Sequence, residues 1–205
     1  MCYRTKLNAS LQSIEETFEA TFLNPEEYKP QKEINAFDFP YTPVIADQEP
    51  EEILFFKWGL IPHWAKDVGI EKMTLNSMVE TCKEKPAFRD SVDNRCLVIA
   101  NGYYEWQWLD SRGKNKQKFL IKPKDQEVFA FAGIYAIWKK PDTGAQVNSY
   151  SILTTKANEL MSKIHNNKKR MPIVLRQKDL GLYLGGSNIE NFAFPYEVEL
   201  MGTKL

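Results

Sequence analysis

The sequence predicts an α+β fold: a mainly antiparallel, curled β-sheet core with a few short peripheral helices, in a single domain spanning residues 1–205. Three observations carry that reading. Short runs rich in β-branched and aromatic residues, separated by turn residues, recur along most of the chain. Helical periodicity is confined to a few short stretches, with no βαβ rhythm. A length of 205 residues with 43% hydrophobic content suits one domain with a sizeable core, and no repeat, low-complexity tract or linker divides it.

The elements follow in order. Leu11, Ile14, Phe18 and Phe22 recur at helical spacing, with Ser13 and Glu16 as a capping pair and Asn24-Pro25 as the stop. Residues 30–43 read as an extended, proline-punctuated loop. Residues 43–46 and 53–58 read as strands joined by an acidic turn. A loop over 59–69 carries Trp64, residues 73–80 are extended, and Pro86 opens a short helix over 85–89. Strands follow at 96–100, 103–108, 118–121, 128–138 and 146–155, with a turn at Pro141-Asp142-Thr143-Gly144. A helix over 157–164, a strand over 171–175, a helix over 179–184 and a last strand over 196–201 complete the chain.

Composition narrows the function classes. No run of eighteen apolar residues exists and the first ten residues hold no apolar signal core, so an intracellular, cytoplasmic protein is expected. Cys2, Cys82 and Cys96 are odd in number and lack CxxC spacing, which speaks against a disulfide framework; the last two are expected as buried thiols. With only two histidines as well, no metal and no cofactor is expected. Formal net charge is zero, so any grip on nucleic acid must come from local segregation, as at Arg4 and Lys6, at 112–118 and at 163–170.

Cys2 stands directly behind Met1, and enzymes that trim the initiator accept cysteine there. A trimmed chain would begin with an α-amine of pKa about 7.7–8.0 beside a thiol of about 8.5, both partly nucleophilic near neutrality. An amine attacks an aldehyde to give a Schiff base, and a neighbouring thiol can close onto it as a thiazolidine. The alternative is an ordinary small residue in the first strand. In 103–108, alternation puts Tyr104, Trp106 and Trp108 on one face and Glu105 on the other. A dry cleft on that face would raise the Glu105 pKa toward use as a proton donor; a solvated strand carboxylate is the alternative. His165, after the helix over 157–164, would shuttle protons or simply sit at a helix C-terminus, and His63 is read as structural.

Ordered motifs run through most of the chain. They are Met1-Cys2 with Arg4, then Trp58-Gly59-Leu60-Ile61-Pro62-His63-Trp64-Ala65, Asn76 with Glu80-Thr81, and Lys85-Pro86-Ala87-Phe88-Arg89. Gly102-Tyr103-Tyr104-Glu105-Trp106, Phe131-Ala132-Gly133-Ile134-Tyr135, Thr154-Thr155-Lys156-Ala157-Asn158, and Ile164-His165 with Arg170-Met171-Pro172 follow. In this the chain resembles the SOS response-associated peptidase (SRAP) family of abasic-site processing proteins. The resemblance implies a sensor that crosslinks covalently to abasic sites in single-stranded DNA, with no membrane and no obligate protein partner. It makes Cys2 the nucleophile and Asn76 the holder of the N-terminal residue. It gives Glu105 the proton transfers of ring opening and thiazolidine closure, and His165 an assisting role. Arg4, Thr154 and Arg170 would contact phosphates, while Trp64 and the loop at Pro40 would wedge beside the lesion. The family name also records a proposed peptidase activity, with self-processing at Met1 as one form of it.

The chain departs from the family at Tyr3, where glycine is usual, at Met78, where arginine is frequent, and at 166–169, where one residue is typical. The 30–43 loop also matches poorly. Two other classes compete. An N-terminal-nucleophile amidohydrolase would use the same cysteine on an amide but needs sheets sandwiched between helix layers. A noncatalytic single-strand binder would use Trp58, Trp64 and Trp106.

Overall fold

The computed structural model describes residues 2–205. In chain order come β1 (Arg4–Leu7), α1 (Leu11–Phe18), β2 (Thr21–Phe22), β3 (Gln31–Asn35), β4 (Tyr41–Ala46) and β5 (Glu49–Trp58). Next are β6 (Asn76–Met78), β7 (Arg95–Ala100), β8 (Gly102–Trp108), β9 (Lys116–Pro123), β10 (Phe129–Lys139) and β11 (Gln146–Lys156). The chain ends with α2 (Glu159–Ile164), β12 (Arg170–Pro172), α3 (Leu180–Leu184) and β13 (Leu200–Lys204). The expected α+β class holds. Strands dominate, and the three α-helices have eight, six and five residues, too short to form the outer layers of an amidohydrolase sandwich.

One sheet runs β13-β9-β8-β1-β3, and a larger one runs β12-β11-β10-β7-β4-β5-β2 with β6 added beside β11. β5 also meets β11 in parallel, Lys57 opposite Ser149 and Trp58 opposite Tyr150, so β4, β5, β11, β10 and β7 close on themselves as a ring. Closure buries both faces of the inner strands. β7 is buried at all six positions, and after Arg95 its residues 96–100 read as a continuous apolar run rather than an alternating one. The ring ends at Gly59, whose φ of +121° and 3.0 Å approach to the Glu71 Cβ leave no room for a side chain. The two sheets meet through Tyr103 of β8, fully buried with its ring edge-on to Phe131 of β10 at 5.6 Å.

Several local expectations are corrected. The first helix stops at Phe18 because Glu19 takes the left-handed conformation (φ 54°) and its N–H caps Glu15; Phe22 is buried from β2 instead. Its N-cap is Ser10, which accepts from Ser13 N, not a Ser13–Glu16 pair. The 30–43 loop holds strands β3 and the start of β4. Only Asn76–Met78 of 73–80 is a strand, after a 3₁₀ segment Val68–Met73, and residues 85–88 form turns that lead into a 3₁₀ segment Arg89–Ser91 rather than an α-helix. The last strand begins only at Leu200, where pairing with β9 starts. The strand expected over 171–175 shortens to β12. Such short pieces take their form from the neighbour they pair with, which propensity does not report. Among the described residues, no helix is long and apolar enough to cross a membrane.

Candidate active site

The start of β1, the centre of β8, the first residue of β6 and the end of α2 converge. Thr5 lies opposite Tyr103 and Lys6 opposite Gly102, so the antiparallel register carries the chain's first residues toward Glu105. Cys2 is fully buried, and burial, helped by the Glu105 carboxylate, pushes its thiol well above the ordinary range. Asn76 Nδ2 donates to the Cys2 carbonyl at 2.8 Å. Asn76 Oδ1 is buried and has no hydrogen-bond partner among the described residues, an acceptor aimed into the same crowded space.

Glu105 is 4% exposed, which excludes the solvated-strand alternative. Burial pushes its pKa up to about 7, so both protonation states are populated near neutrality. His165, the C-cap of α2, is 6% exposed rather than a surface histidine. Its Nδ1 lies 2.8 Å from the Arg170 carbonyl. A carbonyl only accepts, so Nδ1 carries the proton and Nε2 presents its lone pair, 3.9 Å from Glu105 Oε2. Burial pushes the imidazole pKa down to about 4, which keeps the ring neutral at pH 7.

The residues expected at the DNA separate into two groups. Trp64 is 47% exposed with its indole N–H 3.3 Å from the Pro86 carbonyl, and Pro40 is half-buried. Arg4 is partly exposed and paired with Glu33 at 2.7 Å. Thr154, by contrast, is fully buried, so it presents no donor at the surface. Its hydroxyl donates to Ser77 O and accepts from Arg170 Nη2 at 3.2 Å. Arg170 is itself held bidentately by Glu80, both contacts at 2.8 Å. Thr154, Glu80 and Arg170 thus fix β12 and, through the Arg170 carbonyl, the tautomer of His165. Trp58 is fully buried, its ring stacked on Tyr150 at 6.0 Å, so it offers nothing to a strand of DNA. His63 is exposed, 4.0 Å from Asp90.

At the departures, the Tyr3 ring turns onto Phe37, 4.9 Å between centroids. In the 166–169 insertion, Asn166 accepts from Trp108 N at 3.0 Å and donates to Trp108 O at 2.9 Å. The added loop is therefore stitched to the end of β8 next to His165. Lys168 and Lys169 remain exposed. The parts that sequence reasoning missed are Glu80 and Asn166; the first lay inside a quoted motif, the second inside a segment with no family counterpart. Cys82 and Cys96 are buried, as expected of them. Among the described residues, no group of three or more His, Cys, Asp or Glu side chains is placed to hold a metal ion.

Fold and site define a β-rich protein with a buried cysteine at its second position, a carboxamide bonded to that residue's carbonyl, a buried carboxyl nearby and a neutral imidazole beside that carboxyl. The family model for SOS response associated peptidase (SRAP) matches residues 1–200, and the chain belongs to that family. It is 36% identical over 208 residues to the abasic site processing protein YoqW of Bacillus subtilis (strain 168), covering 98% of this chain and 90% of YoqW. It is 31% identical over 153 residues to the abasic site processing protein HMCES of Gallus gallus, covering 63% of this chain but 44% of HMCES. A solved structure of a protein from Bacteroides thetaiotaomicron superposes with a TM-score of 0.90 at 32% identity, covering all of this chain and 92% of that one.

Proposed function

We propose that this protein captures abasic sites in single-stranded DNA as a covalent adduct on Cys2. Its relatives are named abasic site processing proteins, and the observation that carries the reading to this chain is that Asn76 holds the Cys2 carbonyl while the Glu105 charge acts on the Cys2 thiol and His165 lies against Glu105. Met1 lies outside the described residues; its removal is part of the proposal, because the chemistry requires a free α-amine.

The abasic sugar is mostly a closed hemiacetal. Glu105 in its acid form donates a proton to the ring oxygen while the C1 hydroxyl proton is taken up, giving the open aldehyde. His165 Nε2, a neutral acceptor, is suited to receive that proton. The Cys2 amine adds to C1, water leaves, and an imine forms. The Cys2 thiol then adds to the imine carbon and its proton passes to nitrogen, which closes the thiazolidine. The buried thiol is neutral at pH 7, so Glu105, now a carboxylate, relays this proton. The same steps reversed release the strand. Asn76 holds the Cys2 backbone in register and offers Oδ1 to the amine. Lyase-like turnover and self-processing at Met1 are further activities of the same centre under this reading.

Intact-mass analysis tests it. Purified protein mixed with an abasic single strand is expected to gain the mass of the strand less one water, starting from a chain that begins at Cys2. A protein that retains Met1 quantitatively and still crosslinks sinks the thiazolidine route. Cys2→Ala is expected to lose the stable adduct yet yield one on borohydride reduction, because the alanine amine still forms an imine. If Cys2→Ala crosslinks stably without reductant, the thiol has no part.

A further inference from the structure

The outer face of the five-stranded sheet carries an arrangement that the chemistry at Cys2 does not use. Residues facing each other across an antiparallel pair share a face. Trp106 pairs with Lys118 and Trp108 with Lys116, so these four project from the side opposite buried Glu105, and Tyr104 lies on it too. Arg4 of β1 completes the set. The cations lie over the rings: Lys118 Nζ is 4.2 Å from the Tyr104 centroid and 5.6 Å from that of Trp106. Arg4 is 5.9 Å from Trp106, and Lys116 is 5.4 Å from Trp108. A single carboxylate, Glu33 of edge strand β3, bridges Arg4 at 2.7 Å and Lys118 at 2.6 Å. Hydrogen bonds from Lys118 and Arg4 outweigh the burial that would raise its pKa and hold Glu33 ionised.

Three cations against one carboxylate leave this face positive in a chain whose formal net charge is zero. Cationic side chains lying over aromatic rings on an open sheet suit a polyanion with stackable bases, and every base has a face to stack whatever the sequence. The face reaches the site at the start of β1, where Arg4 follows Cys2 by two residues; Trp106, beside Glu105 in sequence, points to the opposite side of the sheet.

We infer that this face is a second binding surface, carrying single-stranded DNA away from the lesion: phosphates on Arg4, Lys118 and Lys116, a base against Trp106, and Glu33 as a built-in competitor for the phosphates; Trp108 lies under the Gly113 turn, where an added Cβ would come within 2.5 Å of its ring, and takes no base. The inference rests on the single-stranded target proposed above. Glu33 occupies the two cations in the free protein and yields them to the strand, so the surface holds DNA only where a longer strand supplies several phosphates at once.

The test uses lesion-free single-stranded DNA of about 20 nucleotides, with binding measured against salt, beside crosslinking of an abasic strand at saturating protein. Lys116→Ala/Lys118→Ala is expected to weaken binding about tenfold or more. It should also shrink the log–log salt slope by about 1.4, at about 0.7 per phosphate contact on single strands. Glu33→Gln is expected to tighten binding about threefold and steepen the slope; a purely structural Glu33 would leave binding unchanged or weaker. Glu199→Gln, which breaks an exposed pair with Lys124 farther along the same sheet edge, should change neither. If wild type crosslinks but both sheet-face variants bind lesion-free strands as it does, this inference falls and the function above stands. If the variants behave as expected and no abasic adduct forms, the Cys2 chemistry falls and the surface stands. A wild type that does neither overturns both.

Discussion

At the scale of the residue, Glu105 decides most. The carboxyl is buried within a sheet that could have held an apolar side chain, and its pKa of about 7 is the consequence. Glu105→Gln keeps shape but transfers no proton, so crosslinking and its reversal should slow about 10²–10⁴-fold while binding to intact strands changes little. Single-turnover adduct formation, with exchange onto a competitor strand for reversal, measures both; unchanged rates would move the acid–base role to His165. The same burial makes a stability prediction. A carboxyl whose folded pKa is raised binds its proton more tightly when folded, so its contribution falls as pH rises from about 4.5 through about 7. Relative to wild type, Glu105→Gln should therefore gain stability over that window, by up to about 3 kcal/mol at pH 8 compared with pH 4.5. Urea unfolding of the two proteins at pH 4.5, 6 and 8 checks the sign; a difference independent of pH would mean Glu105 is not desolvated. Alternation in the sequence places Glu105 on the face away from the tryptophans, but whether that face is wet or dry depends on strands far away in sequence. His165 was the same case: its burial comes from the packing of α2 and the hydrogen bond to Arg170, neither visible in a six-residue window.

At the scale of the element, the segment from α2 to β12 is the piece most specific to this chain. Asn166 exchanges two hydrogen bonds with the Trp108 backbone, which closes the longer loop against β8 one residue from His165. Asn166→Ala should cost about 1–2 kcal/mol, the scale of two hydrogen bonds at a half-exposed site, and slow crosslinking. Because the loss acts through His165, His165→Ala and the double variant should crosslink at similar rates; additive losses in that cycle would show that the loop acts elsewhere. Long strands such as β10 and β11 were legible because their apolar runs are continuous and bounded by turns. The loop was not, since Asn166 signals a turn equally well in any surroundings. β6 and β12, three residues each, exist only because β11 lies between them, and the motif around Thr154 suggests a phosphate contact because it shows the residue types but not Thr154's place at the centre of that three-strand pairing.

At the scale of the whole molecule, the site belongs to no single sheet. Glu105 comes from the five-stranded sheet and Cys2 from the residues just before its strand β1, Asn76 from β6 on the ring, and His165 from the end of the helix that bridges them, with Gln107 of β8 donating to the Lys163 carbonyl at 3.0 Å. The curled sheet was legible from the rhythm of strands and turns; ring closure was not, because β5 and β11 are about ninety residues apart and their contact is only two residue pairs long. Loop-closure costs of that kind are met only when the rest of the barrel is already assembled. It follows that the site has no locally stable fragment. Crosslinking competence should be lost in urea with the same midpoint and the same slope as the intrinsic tryptophan fluorescence, to which Trp58, buried inside the ring, contributes. The experiment equilibrates the protein in urea, dilutes it into a brief pulse of abasic strand shorter than the refolding time, and compares adduct yield with fluorescence at each concentration. Coincident curves are expected. Loss of competence at clearly lower urea, with Trp58 still buried, would mean that β1 and Cys2 detach from β8 as a separate unit, and that the first strand is a removable strap rather than part of the cooperative core.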